Sequence, residues 1–213
     1  MKRFEIITEA EARQLEPGST VELEAGGQVT PLAQDTLAAR RVTVVRAGPI
    51  TQDELARYAL RPIRVVAIGC DHTGLDLKRE IVRHVRGRGL TVEDLGVHTA
   101  ARVDYPDVAA DVARFVARGQ ADAGLVIDGS GVGSAIAANK VVGIRAAMVA
   151  DPTAARYARE HVGVNVLALG AAFVDAERAR PIVDAWLTAT MRESRYVARL
   201  AKIGRLERGG GAG

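Results

Sequence analysis

A glycine-rich segment, Asp128-Gly-Ser-Gly-Val-Gly133, follows a short apolar stretch and precedes a predicted helix. Amides left open by glycine, together with the dipole of a helix N-terminus, bind negatively charged oxygens. The glycine spacing fits neither the dinucleotide fingerprint nor the phosphate loop that ends in Gly-Lys-Ser/Thr. The alternative is a tight strand-to-helix turn. Asp128 favours a functional site, because a carboxylate that ends an apolar strand is costly unless it is solvated, paired or used.

A carboxylate and an imidazole follow another apolar stretch, in the segment Gly69-Cys-Asp-His-Thr-Gly74. Asp71 and His72 have the side chains for binding a polar substrate or moving protons. The alternative is that Asp71 or Thr73 only caps the helix that follows. Their position directly after a predicted strand favours the functional interpretation.

His161 lies at the end of a predicted helix, where an imidazole either stabilises the helix C-terminus or takes part in catalysis. Further along the chain, Arg192, Arg195 and Arg199 are spaced by three and four residues, which places them on one helical face. Such a stripe is usually a solvated surface, but guanidinium groups also match the oxygens of a phosphate dianion. The spacing alone leaves both alternatives open.

These residues must be positioned by an alternation of strands and helices that begins at Ile63. Short apolar runs alternate with amphipathic stretches, which predicts an α/β fold with a doubly wound parallel sheet and helices on both faces. Ligands of such sheets bind outside the carboxyl ends of the strands. The predicted strands are Val65–Ile68, Thr91–Leu95, Gly124–Ile127, Ile144–Val149 and Asn165–Leu169, and the predicted helices are Leu77–Val85, Val108–Val116, Ala135–Asn139, Thr153–Glu160 and Ala176–Leu187.

The N-terminal part of the chain has a different pattern. Thr20–Glu24 alternates with period two, Ala25–Gln28 predicts a turn, and Val42–Val45 predicts a second short strand. A helix start is predicted at Thr30, because a proline follows this capping residue. The predicted domains are a small β-containing extension at residues 1–60, a main domain at residues 61–207, and a flexible glycine-rich tail at residues 208–213.

Composition limits the possible classes of function. The 213 residues carry a formal net charge of only +3, and 4% of them are aromatic, so a nucleic-acid partner is not expected. Cys70 is the only cysteine, which excludes an internal disulfide and favours a reducing, cytoplasmic setting. No stretch resembles a signal peptide or reaches the ~18 apolar residues of a membrane span, so no membrane partner is expected either.

Six segments, taken in order, resemble the type B ribose-5-phosphate isomerase family, which also contains galactose-6-phosphate isomerase. They are Gly69–Gly74, Asp104–Pro106, Asp128–Gly133, Ala137–Arg145, Asn165–Gly170 and Ile182–Trp186. The resemblance implies a Rossmann-like homodimer, or a dimer of dimers, without metal or nucleotide cofactor. It also implies active sites between subunits that interconvert an aldose phosphate and a ketose phosphate through an enediol.

The same resemblance implies roles for single residues. Asp71, His72 and Tyr105 match substrate-binding residues of the family, and His161 matches the residue that assists opening of the sugar ring.

The resemblance also implies how charge is held. The amides of the glycine loop resemble a nest that stabilises the developing oxyanion, with Ser130 beside it. Arg195 and Arg199 resemble phosphate ligands that reach across the dimer. The nest residues are Gly129, Gly131, Val132 and Gly133.

Departures from the family pattern fall at the base and at the phosphate pocket. Asp128 stands where many members carry a cysteine base, and Ser134 stands where others carry a glutamate. Because the reaction needs a base, Asp128 is the predicted one, provided that burial raises its pKa towards neutrality. Val162 replaces a usual asparagine, and Ala172 replaces a usual arginine, which weakens the expected phosphate grip.

The leading hypothesis is a cofactor-independent isomerase of ribose 5-phosphate and ribulose 5-phosphate, with Asp128, His161 and Ser130 in catalysis. Two alternatives are a non-catalytic sugar-phosphate-binding or scaffold protein and an isomerase of a different sugar. The segment Thr30–Leu37 is similar to short segments of enzymes associated with bacterial microcompartments. Residues 1–60 are therefore a candidate module for binding an assembly partner in such a compartment.

Overall fold

The computed structural model describes residues 2–46, 56, 58, 61–191 and 193–209. The chain divides into two compact units, of which the first consists of Met1–Arg57 with Ala198–Gly213 and the second of Tyr58–Val197. Among the predicted site residues, only Arg199 falls in the first unit. Arg192, the remaining arginine of the predicted stripe, lies outside the described residues.

The first unit contains three parallel strands that alternate with two helices. These elements are β1 (Arg3–Ile7), α1 (Glu9–Gln14), β2 (Thr20–Val29), α2 (Pro31–Ala39) and β3 (Thr43–Arg46), and the strand order is β1-β2-β3. Ile7 and Leu23 from the strands and Leu37 from α2 belong to one buried hydrophobic cluster. The predicted helix start is confirmed, since Thr30 is the N-cap of α2.

The predicted turn at Ala25–Gln28 is wrong, because β2 continues through these residues. The register with β1 shifts there: Phe4 lies opposite Leu23, and Ile6 lies opposite Gln28. A step of two residues in β1 thus matches a step of five in β2. A bulge in the longer strand therefore accommodates the glycine pair that predicted a turn.

The second unit is built on a five-stranded sheet in which all paired strands are parallel. The order of its strands is β5-β4-β6-β8-β7. The predicted α/β class with a parallel sheet is confirmed. The strands are β4 (Val65–Cys70), β5 (Thr91–Asp94), β6 (Ala123–Asp128), β7 (Ala146–Met148) and β8 (Val166–Gly170), and the helices are α3 (Leu75–Gly87), α4 (Tyr105–Ala117), α5 (Val132–Ala138), α6 (Pro152–Val162) and α7 (Ala176–Thr188).

Helices cover both faces of this sheet. Ile68 of β4 belongs to a buried cluster with α3, α6 and α7, whereas its neighbour Ala67 belongs to a second cluster with α4 and α5. On the second face, a Cβ added to Gly69 would lie 2.7 Å from Val112. Glycine at this strand position therefore lets α4 pack directly on the sheet.

The direction of winding reverses between β4 and β6. From β4 the chain first enters β5 on one side, and later enters β6 on the other side of β4. Ligands of open α/β sheets bind in the crevice outside the carboxyl ends of the strands at such a switch point. Asp71 directly follows β4 and Asp128 ends β6, so the two carboxylates flank this crevice.

The last helix, α8 (Ser194–Gly209), crosses the division between the two units. The sequence assigned residues 61–207 to the main domain, whereas the second compact unit ends at Val197. Arg208 and Gly209, assigned to a flexible tail, belong to α8. Within the described ranges, no helix is both long and apolar enough to cross a membrane.

Candidate active site

Asp71 orders the turn between β4 and α3. Its Oδ1 accepts hydrogen bonds from Thr73 N (2.9 Å), Thr73 Oγ1 (2.6 Å) and Gly74 N (3.2 Å). The N-cap position of α3 itself belongs to Gly74, so Asp71 shapes the approach to the helix and does not cap it. No donor in the described part of the chain reaches Oδ2 of Asp71. One oxygen of this carboxylate is thus open to a ligand.

His72 follows Asp71 at the same edge of the sheet and is half-buried. Its Nδ1 is enclosed by protein and has no hydrogen-bond partner within the described ranges. A buried imidazole nitrogen without a partner costs free energy unless a ligand or a water molecule satisfies it. The predicted substrate-binding pair therefore offers an unused carboxylate oxygen, whereas the ring nitrogen Nδ1 of His72 is enclosed without a partner.

Asp128 differs from Asp71 because both of its oxygens are occupied. Oδ1 accepts from Ser130 N (2.6 Å), Gly131 N and Ser130 Oγ (3.4 Å). Oδ2 accepts from Ser134 N (3.0 Å) and from Ser134 Oγ. The residue is only 3% exposed. Five hydrogen bonds therefore hold this carboxylate inside the glycine loop (Asp128–Gly133).

The expectation of a raised pKa at Asp128 is wrong. Burial by itself raises the pKa, but hydrogen bonds from Ser134, Gly131 and Ser130 stabilise the ionised form and hold the pKa below its ordinary value. A carboxylate with a lowered pKa and filled oxygens is a poor proton acceptor at neutral pH. The condition under which the sequence predicted Asp128 as the base is not met.

The glycine loop has the shape expected for an anion nest, but Asp128 itself supplies the anion. Gly131 has a φ of +75°, in the left-handed region that glycine adopts without strain, and it is the N-cap of α5. The amides of Ser130, Gly131 and Ser134 point at Asp128, and the amide of Val132 donates to Ser130 Oγ (3.2 Å). The amides of Gly129 and Gly133 are not among those that Asp128 holds.

Tyr105 lies against the glycine loop. A Cβ added to Gly133 would come within 2.6 Å of the Tyr105 ring, so only glycine permits this contact. Tyr105 is the first residue of α4 and is 41% exposed. The predicted substrate-binding tyrosine is thus brought to the same edge as Asp71, His72 and the loop.

His161 lies in a separate aromatic cluster. Its ring stacks on Tyr157 with centroids 4.6 Å apart and contacts Tyr196 at 4.5 Å. Arg195 lies next to this cluster, where its Nη2 donates to the Tyr196 hydroxyl (3.4 Å) and its Nε pairs with Glu193 (2.5 Å). The predicted ring-opening histidine and one predicted phosphate ligand therefore share one site.

The sheet separates this aromatic cluster from the glycine loop. His161 lies in the last turn of α6, just before β8 begins at Val166, so it lies near the amino ends of the strands. Asp128 lies at the carboxyl end of β6, which pairs in parallel with β8. Five residues of β8 at ~3.3 Å each separate the two edges by roughly 15 Å. Within one chain, the structure does not bring His161 and the glycine loop together.

The sequence alone predicted no structural role for two buried polar residues at the carboxyl edge. Ser134 is 2% exposed and binds Asp128 through both its amide and its hydroxyl. Lys78 is 1% exposed, and its Nζ contacts Asp94 Oδ1 (2.6 Å) and the carbonyl of Val97 (2.8 Å). The available signal for Lys78 was its position between apolar residues of an amphipathic helix, where a charge needs a buried partner.

Cys70 offers no alternative chemistry at this edge. The thiol is 1% exposed, and burial raises its pKa to about 11. The thiolate, which is the reactive form, is therefore scarce at neutral pH.

A cleft of about 540 Å³ opens beside the Asp71 turn. Its lining includes Thr73, Arg79, Ala171 and Asp175. Next to Ala171, the amide of Ala172 donates to the carbonyl of Gly129 (2.9 Å), so the cleft adjoins the glycine loop.

A parallel sheet with carboxylates, an imidazole and a glycine loop at its switch point defines an α/β protein with a site for a small polar ligand. The family model described as Ribose/Galactose Isomerase matches residues 66–203 of the chain. The chain belongs to this family. The resemblance to type B ribose-5-phosphate isomerases is thereby confirmed.

Individual relatives extend this finding. The chain is 46% identical to ribose-5-phosphate isomerase B of Escherichia coli, over 68% of this chain and 97% of that protein. It is 38% identical to D-erythrulose-4-phosphate isomerase of Pectobacterium atrosepticum, over 67% of this chain and 94% of that protein. A solved structure of Clostridium thermocellum ribose-5-phosphate isomerase B aligns with a TM-score of 0.66 and 46% identity, over 68% and 97%. The N-terminal residues up to 65 lie outside the family match.

Proposed function

We propose that this protein is an aldose–ketose isomerase of ribose 5-phosphate and ribulose 5-phosphate, or of a closely related pair of sugar phosphates. The observation that carries the proposal is the meeting of Asp71, His72 and the glycine loop at the switch point of an isomerase-family sheet. Relatives named as isomerases of ribose 5-phosphate and of D-erythrulose 4-phosphate support a phosphorylated aldose–ketose pair.

The reaction needs one base and a set of donors. A proton must leave one carbon and return to its neighbour, while donors hold the enediolate oxygens. Two carboxylates flank the crevice: the family position favours Asp128 as the base, whereas the hydrogen bonds around Asp128 favour Asp71. The amides of Gly129 and Gly133 and the hydroxyl of Tyr105 are the candidate donors. The hydroxyl of Ser130 joins them only if it turns from Asp128 to the substrate.

A second copy of the chain would complete the site. His161 and Arg195 lie at the amino edge of the sheet, so a partner subunit must present them to the glycine loop if they act in catalysis. Val132 and Ile136, one turn apart on α5 beside the loop, are 49% and 57% exposed. An apolar pair of this kind suits burial against a partner, and homodimers commonly form through such patches.

Phosphate binding falls to arginines of the same partner. Arg195 already pairs with Glu193, so a phosphate must compete with that carboxylate. Ala172 replaces the arginine that is usual at this position, so a second guanidinium for the phosphate is missing there. Weak binding of the phosphate by Arg195 is therefore expected.

A coupled isomerase assay over a panel of pentose, tetrose and hexose phosphates tests the proposal. We expect turnover of ribose 5-phosphate, with a KM that rises when Arg195 is replaced by alanine. Absence of turnover with every sugar phosphate, in a folded protein, would refute an isomerase function.

A non-catalytic sugar-phosphate-binding protein is the second candidate. The observation that favours it is the filled anion nest, since Asp128 occupies amides that could otherwise hold a substrate oxyanion. Calorimetric binding of ribose 5-phosphate without conversion would support this candidate, and ordinary turnover would exclude it.

The first unit is proposed as an assembly module. Leu32, on the first turn of α2, is 62% exposed, which suits contact with another protein. Localisation in a bacterial microcompartment follows as part of this proposal. Loss of co-sedimentation with shell particles in the full-length Leu32→Glu variant, with isomerase activity unchanged, is the expected result.

A further inference from the structure

We propose that Asp71 is the catalytic base of the isomerisation and that Asp128 is a positioning residue that keeps the glycine loop in shape. This assignment rests on the proposed function. It differs from the family position of the base, which Asp128 occupies.

Asp128 is committed to the loop through both oxygens. Three amides and two hydroxyls from Ser130, Gly131 and Ser134 converge on its carboxylate. To accept a substrate proton, an oxygen would have to leave at least one of these donors, at a position that is only 3% exposed. Leaving buried donors without partners costs about 1–3 kcal/mol each. The same hydrogen bonds fix the start of α5. Asp128 therefore acts as a positioning residue.

Asp71 is held with one oxygen and leaves the other available. Three donors from Thr73 and Gly74 fix Oδ1, and within the described ranges none binds Oδ2. The carboxylate is thus oriented by the protein before substrate arrives. Preorganisation of this kind, with a free lone pair, is what a general base requires.

Asp71 also lies directly beside the loop that would hold the enediolate. Its amide donates to the carbonyl of Ile127 (3.1 Å), one residue before Asp128. Thr73, which donates to Asp71, has its Oγ1 3.6 Å from the Cβ position of Gly129. A substrate whose oxygen is bound by the amide of Gly129 would lie next to Asp71.

Other titratable groups of this edge are less suited to the role. The Cys70 thiol is buried with a pKa raised to about 11. His161 lies at the opposite edge, and the phenol hydroxyl of Tyr105 carries a proton and is therefore suited to donate a hydrogen bond. His72 remains next to Asp71 with an enclosed Nδ1, and it serves as the comparison variant below.

The proposed step conserves protons and electrons. Oδ2 of Asp71 removes the proton from C2 of the open-chain aldose, and the C–H electron pair becomes the C1–C2 double bond. The carbonyl electron pair moves onto O1, and the resulting enediolate takes up the proton of O2 on O1. The protonated Asp71 then returns its proton to C1, the double-bond pair forms the new C–H bond, and O2 becomes the ketone oxygen. No external oxidant or reductant takes part.

The test compares Asp71→Asn with Asp128→Asn in the full-length protein. In Asp71→Asn the amide oxygen still accepts from Thr73 and Gly74, so the turn is retained while the base is lost. We expect kcat to fall about 10³-fold, within the range for loss of a general base, with little change in KM. In Asp128→Asn the loop loosens, and we expect KM to rise while kcat falls by no more than about tenfold.

Exchange of the C2 proton of ribose 5-phosphate with deuterated water, followed by NMR, separates the two roles. Asp71→Asn should abolish exchange, whereas Asp128→Asn should retain exchange in proportion to its turnover. Ser134→Ala, which removes one donor to Asp128, should move KM in the same direction as Asp128→Asn but less. His72→Asn should keep measurable exchange.

Three outcomes would overturn the assignment. Abolished exchange in Asp128→Asn, with parental exchange in Asp71→Asn, would identify Asp128 as the base. Loss of exchange in His72→Asn alone would identify His72. A parent protein that converts no sugar phosphate would refute the proposed function, and the assignment with it. If circular dichroism shows that Asp71→Asn is unfolded, Asp71→Ser takes its place. Exchange of the C2 proton is then measured at low temperature and gives the same comparison.

Discussion

The two edges of the five-stranded sheet carry different halves of the predicted chemistry. The carboxyl edge presents Asp71, His72 and the glycine loop, all on segments that directly follow strands. The amino edge presents His161, which reaches it because α6 runs back towards the start of β8. The ring of Tyr196, from α8, contacts His161 there. In a parallel sheet, a helix that connects two strands must end at the amino edge. A residue at the end of such a helix cannot join a strand-end site in its own chain.

Complementation between two inactive variants gives the largest expected effect. Asp71→Asn removes the proposed base at one edge and His161→Ala removes the predicted ring-opening residue at the other, so each variant alone should lose about 10²–10⁴-fold in rate. If partner subunits share sites, a mixed dimer contains one intact site. After equal mixing and reassociation, half the dimers are mixed, so about a quarter of the parental activity should return.

The control for this experiment pairs variants from one edge. Asp71→Asn mixed with His72→Ala alters the same half of the site, and every site in their mixed dimer keeps one defect. No activity beyond that of the separate variants should return. A shared site would be contradicted if activity returned in this control. It would also be contradicted if no activity returned in the mixture of Asp71→Asn with His161→Ala.

The two edges also differ in how each compensates a buried cation. Lys78 at the carboxyl edge has a carboxylate partner in Asp94, whereas Arg159 at the amino edge donates to the carbonyl of Val164 (3.0 Å). Within the described ranges, Arg159 forms no ion pair, and its Nε has no hydrogen-bond partner. Burial lowers the pKa of Arg159 to about 10. The arginine thus bears a desolvation cost that a carboxylate relieves for Lys78.

Replacing each cation by methionine tests this difference. Lys78→Met leaves Asp94 without its ammonium partner, with only His98 Nδ1 at 3.9 Å and the amide of Gly96 beside it, and we expect the free energy of unfolding to fall by about 3 kcal/mol. Arg159→Met removes an uncompensated charge and keeps most of the packing volume, so a change within about 1 kcal/mol is expected. Urea denaturation of both variants measures the two changes. Equal losses would show that the compensation of charge is not the relevant difference.

Strand and helix positions in the second unit were predictable, because period and length are local properties of the sequence. Placement of the residues after β4 and β6 at one edge followed from parallel pairing alone. The separation of His161 required only the direction of α6. The resemblance drew attention away from it, because that resemblance implies active sites built from two subunits.

Other features could not be predicted from single residues. The pKa of Asp128 depends on the balance between burial and the donors from Ser130, Gly131 and Ser134, and the sign of that balance requires their positions. The bulge in β2 depends on the partner strand β1, while the local Gly-Gly signal indicates a turn. In β2 a nonlocal contact decides the outcome against a local preference. At Asp128 the donors are close in sequence, but only the folded loop aims them at the carboxylate.

Lowering the pH should destabilise the fold through the carboxyl edge. This effect should be smaller than those of the complementation and of the cation replacements. Because the folded-state pKa of Asp128 is lowered, its carboxylate stabilises the fold at a pH above its ordinary pKa of about 4. This contribution is lost as the pH falls through the folded-state value. At the amino edge, Arg159 remains protonated throughout this range.

The free energy of unfolding of the parent should therefore decrease more steeply below pH 4 than that of Asp128→Asn, which cannot titrate there. Ser134→Ala should give an intermediate slope, because it removes the side-chain hydrogen bond that lowers the pKa of Asp128 most. Urea denaturation at pH 7, 5, 4 and 3 measures all three slopes. Identical slopes would mean that the donors of the glycine loop do not stabilise the ionised form of Asp128. Asp128 would then again be a candidate for the catalytic base.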